Sequence, residues 1–359
     1  MVPCVFSVPE CVCVCVVSER KERERERDTV NMSTTARRSL RQLISETDAK
    51  ILNRFGVTKA SELIDTRAFL LKDTLDASEE EIRRIRNTVF ENVCPKPNTA
   101  LELLKRRGRY VRTGFKEIDR ALCGGIPSGS VSEISGKSGI GKSQFCFTIA
   151  SEVLSRSEEN NHKSGSCSVV YIDTEMKFSP PRVREIVQGR SEGLLGDKVM
   201  SRLHVFSPKN SKELVSVLRS LESYIIEFNV SIVILDSMAF HVLREFSISQ
   251  IARRQALLGS LASILKWIAE TFQIPVLVTN HALMNSESES LRAALGTAWS
   301  HCVNTRFVMR EITNNIRVLR IEKSPIAPPL SAEYSIGSLG VIPQRSSTTA
   351  AANDNIKLL

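Results

Sequence analysis

Residues 136 to 143 read Gly136-Lys137-Ser138-Gly139-Ile140-Gly141-Lys142-Ser143, a full G-x-x-x-x-G-K-S run. These residue types suit one chemistry, the grip on a chain of phosphates. Glycines let backbone N–H groups wrap the phosphates without Cβ clashes. Lys142 is placed to reach the β- and γ-phosphates, and the Ser143 hydroxyl to ligate Mg2+. The run follows an apolar segment ending at Ile134 and precedes a helical pattern. Those two contexts separate a phosphate loop from an ordinary glycine-rich turn. ATP with Mg2+ is the expected ligand.

A metal-bound triphosphate also needs a carboxylate in the metal's shell. Ile232-Val233-Ile234-Leu235-Asp236 is an apolar strand ending in one, so Asp236 is the expected partner of Ser143 at the metal. Hydrolysis needs a group that orients or deprotonates water. Tyr171-Ile172-Asp173-Thr174-Glu175 puts Glu175 just past the end of another apolar strand, at the edge where open parallel sheets hold their ligands. Glu175 and Lys142 are the catalytic candidates. Asp173, alternating with Ile172, suits a strand-end hydrogen-bonding role.

Bringing these groups together requires a sheet. Val131–Ile134, Val169–Ile172, His204–Phe206, Ile232–Leu235 and Ile274–Thr279 read as strands with helical stretches between them. Near-continuous apolar strands alternating with helices predict an α/β fold, a mostly parallel central sheet covered on both faces. Thr305–Met309 and Ile316–Ile321 flank Thr313-Asn314-Asn315, so an antiparallel hairpin is expected at the C-terminal side.

Ahead of the sheet the pattern is helical. Leu40, Leu43 and Ile44, then Ile51, Leu52 and Phe55, then Leu63 and Ile64, then Ile82, Ile85 and Val89 are spaced by three and four. Gly56 is a helix stop, and Ser78 before three glutamates is a start. A small helical bundle over 36–94 follows, which by these residues alone is either a packing module or a unit touching a DNA backbone through helix N-termini. Cys94-Pro-Lys-Pro-Asn breaks the pattern and opens a linker over 95–111. The ATPase core is expected over 112–345, and 346–359 as a disordered tail. Residues 1–31 alternate Cys and Val and then run through Arg and Glu, with no core to join. They are expected to be a disordered tail or an over-extended gene start, with Met32 as the true beginning.

Composition narrows the partners. Five basic and six acidic side chains lie in residues 1–31, leaving 44 basic against 34 acidic in the rest. A surplus of that size favours a polyanion or simply a solubilising surface. No stretch approaches the roughly 20 apolar residues of a membrane helix, so no membrane partner is expected. Cys4, Cys11, Cys13 and Cys15 crowd the start, while Cys94, Cys123, Cys146, Cys167 and Cys302 form no C-x-x-C pair, which predicts buried reduced thiols in a nuclear or cytosolic protein.

The motifs, in this order, resemble the RecA-type recombinases of eukaryotes from about Ser39 to Ile342. Gly124-Gly125-Ile126 before Gly129-Ser130, the phosphate loop followed by Gln144, Tyr171 to Glu175, Leu235-Asp236-Ser237, and Ile274-Pro275-Val276 through Thr279-Asn280 carry the likeness. Ala294 to Arg306 and Lys323-Ser324-Pro325-Ile326-Ala327-Pro328 look like the B-type recombinase paralogues.

The resemblance implies a DNA-associated helical N-terminal domain, an ATP site completed by a neighbouring subunit, and nuclear work in homologous recombination. It implies nucleotide contacts from Gln144, from Arg182 stacked on adenine, and from Lys323 reaching an adjoining subunit's ATP. Family members bind single-stranded DNA through loops after the Asp236 and Thr279 strands. Here these are Phe240–Ile251, with His241 and Arg244 and then Arg253 and Arg254, and Ala282–Leu291, with Glu287 and Glu289 before Arg292. The DNA contacts expected are Arg244, Arg253, Arg254 and Arg292; the acids of the second loop repel phosphate. Where the family has glutamine after Thr-Asn, this chain has His281, which puts the relay from ATP to the second loop in question. The linker phenylalanine that builds homofilaments falls on Pro97, three residues before Ala100. Proline cannot fill an aromatic pocket, so the interface at Pro97 and Ala100 should self-polymerise weakly and favour a sister paralogue, the C-type, with the main strand-exchange recombinase and single-stranded or branched DNA as further partners. Slow DNA-dependent ATP hydrolysis is expected. The alternatives are a nucleotide-gated scaffold without useful ATPase activity, or another RecA-fold ATPase such as a helicase or signalling ATPase.

Overall fold

The computed structural model describes residues 40, 43–93, 97–105, 108–159, 167–190, 196–284, 291–293, 295–312 and 316–344. The two terminal tails, Cys94, Glu287 and Glu289 of the second loop, and the Thr313–Asn315 turn lie outside the described residues. The chain divides into two units, residues 1–105 and 106–359.

The first unit holds α1 (Glu46–Arg54), α2 (Ala60–Asp65), α3 (Ala68–Leu75), α4 (Glu79–Val93) and α5 (Ala100–Lys105). Their starts follow local chemistry. Ser45 Oγ accepts the N–H of Asp48, Glu62 accepts those of Thr58 and Lys59, and Ser78 Oγ accepts that of Glu81. Leu40, Leu52, Leu63, Leu71, Ile82, Ile85 and Val89 pack into its core. Phe55, expected inside with Leu52, is 64% exposed. Within the segment expected as linker, Thr99 and Glu102 exchange the hydrogen bonds of a capping box and start α5.

The second unit runs β1 (Tyr110–Val111), α6 (Lys116–Ala121), β2 (Ile126–Pro127), β3 (Val131–Gly136), α7 (Lys142–Glu159), β4 (Ser168–Asp173), α8 (Pro180–Arg190), α9 (Gly196–Met200), β5 (Leu203–Phe206), α10 (Ser211–Glu227), β6 (Val230–Asp236), α11 (Ala239–Glu245), α12 (Ile251–Phe272), β7 (Val276–Met284), β8 (Leu291–Ala293), α13 (Gly296–Cys302), β9 (Thr305–Glu311), β10 (Arg317–Lys323), β11 (Leu330–Gly337) and β12 (Gly340–Pro343). The main sheet has the order β12-β11-β10-β9-β3-β7-β6-β4-β5, with β8 paired to the end of β7. From β9 to β5 neighbours are parallel, and from β9 to β12 antiparallel. The mostly parallel sheet and the C-terminal hairpin are as the apolar runs predict.

Alternate residues feed the two faces. Ile134, Val169, Tyr171, Ile234 and Phe307 pack with Phe145 and Ile149 of α7 and Val183 of α8. Val170, Ile172, Val233, Leu235 and Val278 pack with Leu218 of α10, Leu265 of α12 and Trp299 of α13. Such two-sided burial is why these strands read as unbroken apolar runs.

Two expectations change. Phe240–Ile251 is not an open loop: most of it is α11 and a 3-10 turn over Ile248–Gln250. His241 is buried with Nε2 donating to Pro208 O at 2.9 Å, while Glu245 accepts from Ser211 at the start of α10. Of the described cysteines only Cys146 is buried, and Cys123 is exposed. No helix among the described residues is long and apolar enough to cross a membrane.

Candidate nucleotide site

The chemical residues converge at the C-terminal ends of β3, β7, β6 and β4. Gly136 ends β3 against Met309 of β9, and a Cβ there would lie 2.6 Å from Met309 O. Gly141 has φ +113, and a Cβ would lie 2.5 Å from Ile336 Cδ1. Only glycine meets both demands, so the loop's shape follows from its sequence. The C-terminal strands buttress it. Tyr334 Oη donates to Ile140 O at 2.9 Å, and Val341 N donates to Thr148 Oγ1 of α7 at 2.9 Å.

Lys142 starts α7 with its ammonium folded back on Gly136 O and Lys137 O, both at 2.9 Å. Burial pulls its pKa down, while Asp236 and Glu175 pull it up. The ammonium is thus held at the mouth of its own loop. Ser143 follows, half-buried.

Asp236 is buried at the end of β6. Its Oδ1 accepts from Thr279 Oγ1 at 2.5 Å and its Oδ2 from Tyr171 Oη at 2.7 Å. Burial and then the Asp236 charge raise the Tyr171 phenol well above its ordinary range, so it stays a donor. With one donor per oxygen, Asp236 keeps lone pairs for a cation, and the hydroxyl of Ser143 suits the same hard ion. A positive-φ glycine cradle, a lysine at its mouth and an oriented buried carboxylate fit Mg-ATP.

Glu175 follows β4, whose end is stapled to β6 by Thr174: its N–H donates to Asp236 O, its Oγ1 to Ser237 O, and it accepts from Ser237 N. Three donors hold the Glu175 carboxylate: His281 Nε2 at 3.1 Å, Ser237 Oγ at 2.8 Å and Lys177 Nζ at 2.7 Å. His281, then Lys177 and Ser237, keep its pKa far below the usual carboxylate range against the effect of burial. Asp173 accepts the N–H groups of Glu175 and Phe178, the strand-end role expected of it.

Arg182 lies on α8, where its Nε donates to Gln144 Oε1 at 2.9 Å and its other nitrogens reach Glu185 and Gly337 O. Arg182 and Gln144 therefore do meet, beside the loop's helix. Lys323 is turned into its own chain, its Nζ donating to Ser300 O at 2.9 Å and Val303 O at 2.6 Å at the end of α13. Burial, then Arg306 and Lys266, lower its pKa. Arg244 is exposed with its guanidinium over Phe240, Arg253 is exposed and Arg254 half-buried. Arg292 is in β8, its backbone paired to Leu283. Pro97 and Ala100 are exposed in the first unit.

The sequence alone assigns no role to the side chains of Tyr171, Thr279, Ser237 or Lys177; the first three stand within contiguous motifs, but the partners that define their roles lie 65, 43 and 62 positions away. Thr279 and His281 touch the two acids only because β7 lies beside β3 and β6, a neighbourhood that sheet order alone reveals.

A Rad51 family model matches residues 106–344. The mouse protein named DNA repair protein RAD51 homolog 2 is 32% identical over 330 residues, covering 82% of this chain and 93% of that protein. The human protein of that name is 32% identical over 350 residues, covering 83% and 90%. That of Arabidopsis thaliana is 30% identical over 334 residues, covering 81% and 87%. Motif order, sheet topology and relatives across most of the length agree: this chain belongs to the Rad51 family, and its likeness is to the B-type paralogues.

Proposed function

We propose that this protein is a recombinase paralogue of homologous recombination repair that binds Mg-ATP and helps assemble the main strand-exchange recombinase on DNA. The observation that carries this reading is the convergence of Lys142, Asp236 and Glu175 at one strand-end edge. Lys142 exchanges Gly136 O and Lys137 O for phosphate oxygens, which neutralises charge there. Ser143 and Asp236 hold Mg2+, which supplies electrophilic stabilisation of the phosphates when bound. Glu175 orients or deprotonates the attacking water, and Gln144 with Arg182 borders the base end. Arg244, Arg253, Arg254 and Arg292 supply phosphate contacts to single-stranded or branched DNA. With Pro97 in place of an aromatic anchor, the neighbour is a sister paralogue of the C-type, joined in the nucleus.

A second reading, a nucleotide-gated scaffold with little turnover, is favoured by the three donors on Glu175, since a carboxylate so engaged is a weak base. Nucleotide binding and steady-state ATPase measurements with and without single-stranded DNA decide between them. Lys142→Ala should lose nucleotide binding, whereas Glu175→Gln should keep binding and lose hydrolysis. Equal nucleotide affinity in wild type and Lys142→Ala refutes the site. Turnover that Glu175→Gln leaves unchanged refutes the role of Glu175, and wild-type turnover no higher than background refutes the enzyme reading.

A further inference from the structure

Glu133 is a carboxylate inside an apolar sheet. It lies on β3, fully buried, with Val278 of β7 and Arg306 of β9 as its register partners. A buried carboxylate is tolerated only when its oxygens are well paired. Oε1 accepts from Asn280 Nδ2 at 2.6 Å and from Trp299 Nε1 at 2.9 Å, and Oε2 from Arg306 Nε at 2.5 Å.

Each partner leads elsewhere. Asn280 stands on β7 between Thr279, which donates to Asp236, and His281, which bonds Glu175. Three consecutive residues of one strand thus touch the metal-site acid, the Glu133 hub and the water-activating acid. On the other side, Trp299 is part of α13, and Arg306 Nη1 donates to Ser300 Oγ of the same helix at 2.9 Å. Lys323 holds the helix's last carbonyls. α13 is the first helix after β8, downstream of the 285–290 segment. The network is also incompletely satisfied: Asn280 Oδ1 and Arg306 Nη2 are buried with no hydrogen-bond partner among the described residues. Spare donor and acceptor capacity in a buried network permits a second arrangement of the same groups.

We propose that Glu133 is a positioning residue through which displacement of the Thr279–His281 strand end, on nucleotide binding, is passed to helix α13. It rests on the nucleotide-site reading above. Glu133 is fully buried with its oxygens taken by Asn280, Trp299 and Arg306; it fixes Trp299 relative to Asn280, so α13 moves when Asn280 does.

The chain has two tryptophans, so Trp267→Phe leaves Trp299 as the sole indole. In that full-length background, Trp299 emission is recorded while Mg2+ and a slowly hydrolysed ATP analogue are added, and nucleotide affinity is measured separately by calorimetry. The expected result is a nucleotide-induced change in Trp299 emission that is lost in Glu133→Gln and Asn280→Ala, with affinity held within about twofold. Asn280→Ala leaves Glu133 two of its three donors and keeps the test open if Glu133→Gln does not fold. A response that persists in Asn280→Ala overturns the proposal, as does a silent Trp299 in a parent that binds nucleotide. So does an emission change equal with and without nucleotide, which is what a purely structural Glu133 gives. A parent that binds no nucleotide overturns instead the site reading beneath it.

Discussion

Lys177→Ala should accelerate ATP hydrolysis. The Lys177 ammonium lies 2.7 Å from Glu175 Oε2, but the lysine side chain is 68% exposed whereas that of Glu175 is 12% exposed. An ion pair with one partner in solvent is worth about 0–1 kcal/mol. His281 and Ser237 hold the other oxygen from more sheltered positions and remain in the variant. Removing Lys177 therefore returns at most about 1 kcal/mol of basicity to Glu175, which corresponds to a rise in kcat of up to about fivefold. Nucleotide affinity should not change, because the loop and Lys142 are untouched. The measurement is phosphate release at saturating Mg-ATP with single-stranded DNA, at low and high salt. Screening weakens the same pair in the wild type, so the ratio of variant to wild type should shrink toward one as salt rises. A fall in kcat, or a ratio indifferent to salt, refutes the reasoning and points to Lys177 acting directly on the γ-phosphate.

Lys323→Met removes two charged hydrogen bonds from the end of α13 and should cost about 1–2 kcal/mol, lowering the melting temperature by roughly 2–6 °C; an unchanged melt would show that the ammonium is not held there. If Lys323 also serves an adjoining subunit's ATP, sedimentation should show an ATP-dependent complex with a sister paralogue that this variant weakens, and long homofilaments would contradict that partnership. Glu62 is held below its ordinary value of 4.5, first by the Thr58 and then by the Lys59 backbone N–H. A depressed carboxyl adds stability above its unfolded pKa that is lost as pH falls through the folded one, so Glu62→Gln should flatten the loss of the first unit's stability between about pH 5 and 3, followed by circular dichroism; equal slopes would count against it.

The parallel strands are legible because Val169–Ile172 and Ile232–Leu235 are buried on both faces and leave no room for polar residues. β11 and β12 carry no continuous apolar run of the kind that marks the parallel strands, although Leu330, Ala332, Tyr334 and Ile336 alternate with polar residues along β11 and pack on the core. α11 is not legible as a helix because its order comes from His241 and Glu245 binding at the start of α10, contacts between residues 33 and 34 positions apart. The phosphate loop is legible because its chemistry is contiguous. Glu133 is not, since in sequence it is one acid in an apolar strand, and its partners lie 147, 166 and 173 residues downstream.

The clasp of the C-terminal strands on the phosphate loop bears on how the protein is made. Tyr334 reaches back 194 residues to Ile140, and Val341 reaches back 193 to Thr148. Gly340 sits so close to Thr148 that any side chain would collide with it. During synthesis the first unit is finished early and from local contacts, whereas the loop waits for the last strands to emerge before its carbonyls and helix are tied down. A nascent chain therefore carries its nucleotide motif long before it carries a finished nucleotide site. A stop codon between residues 324 and 334 would spare Lys142, Asp236 and Glu175 and still remove both Tyr334 and Val341, leaving the loop unbraced.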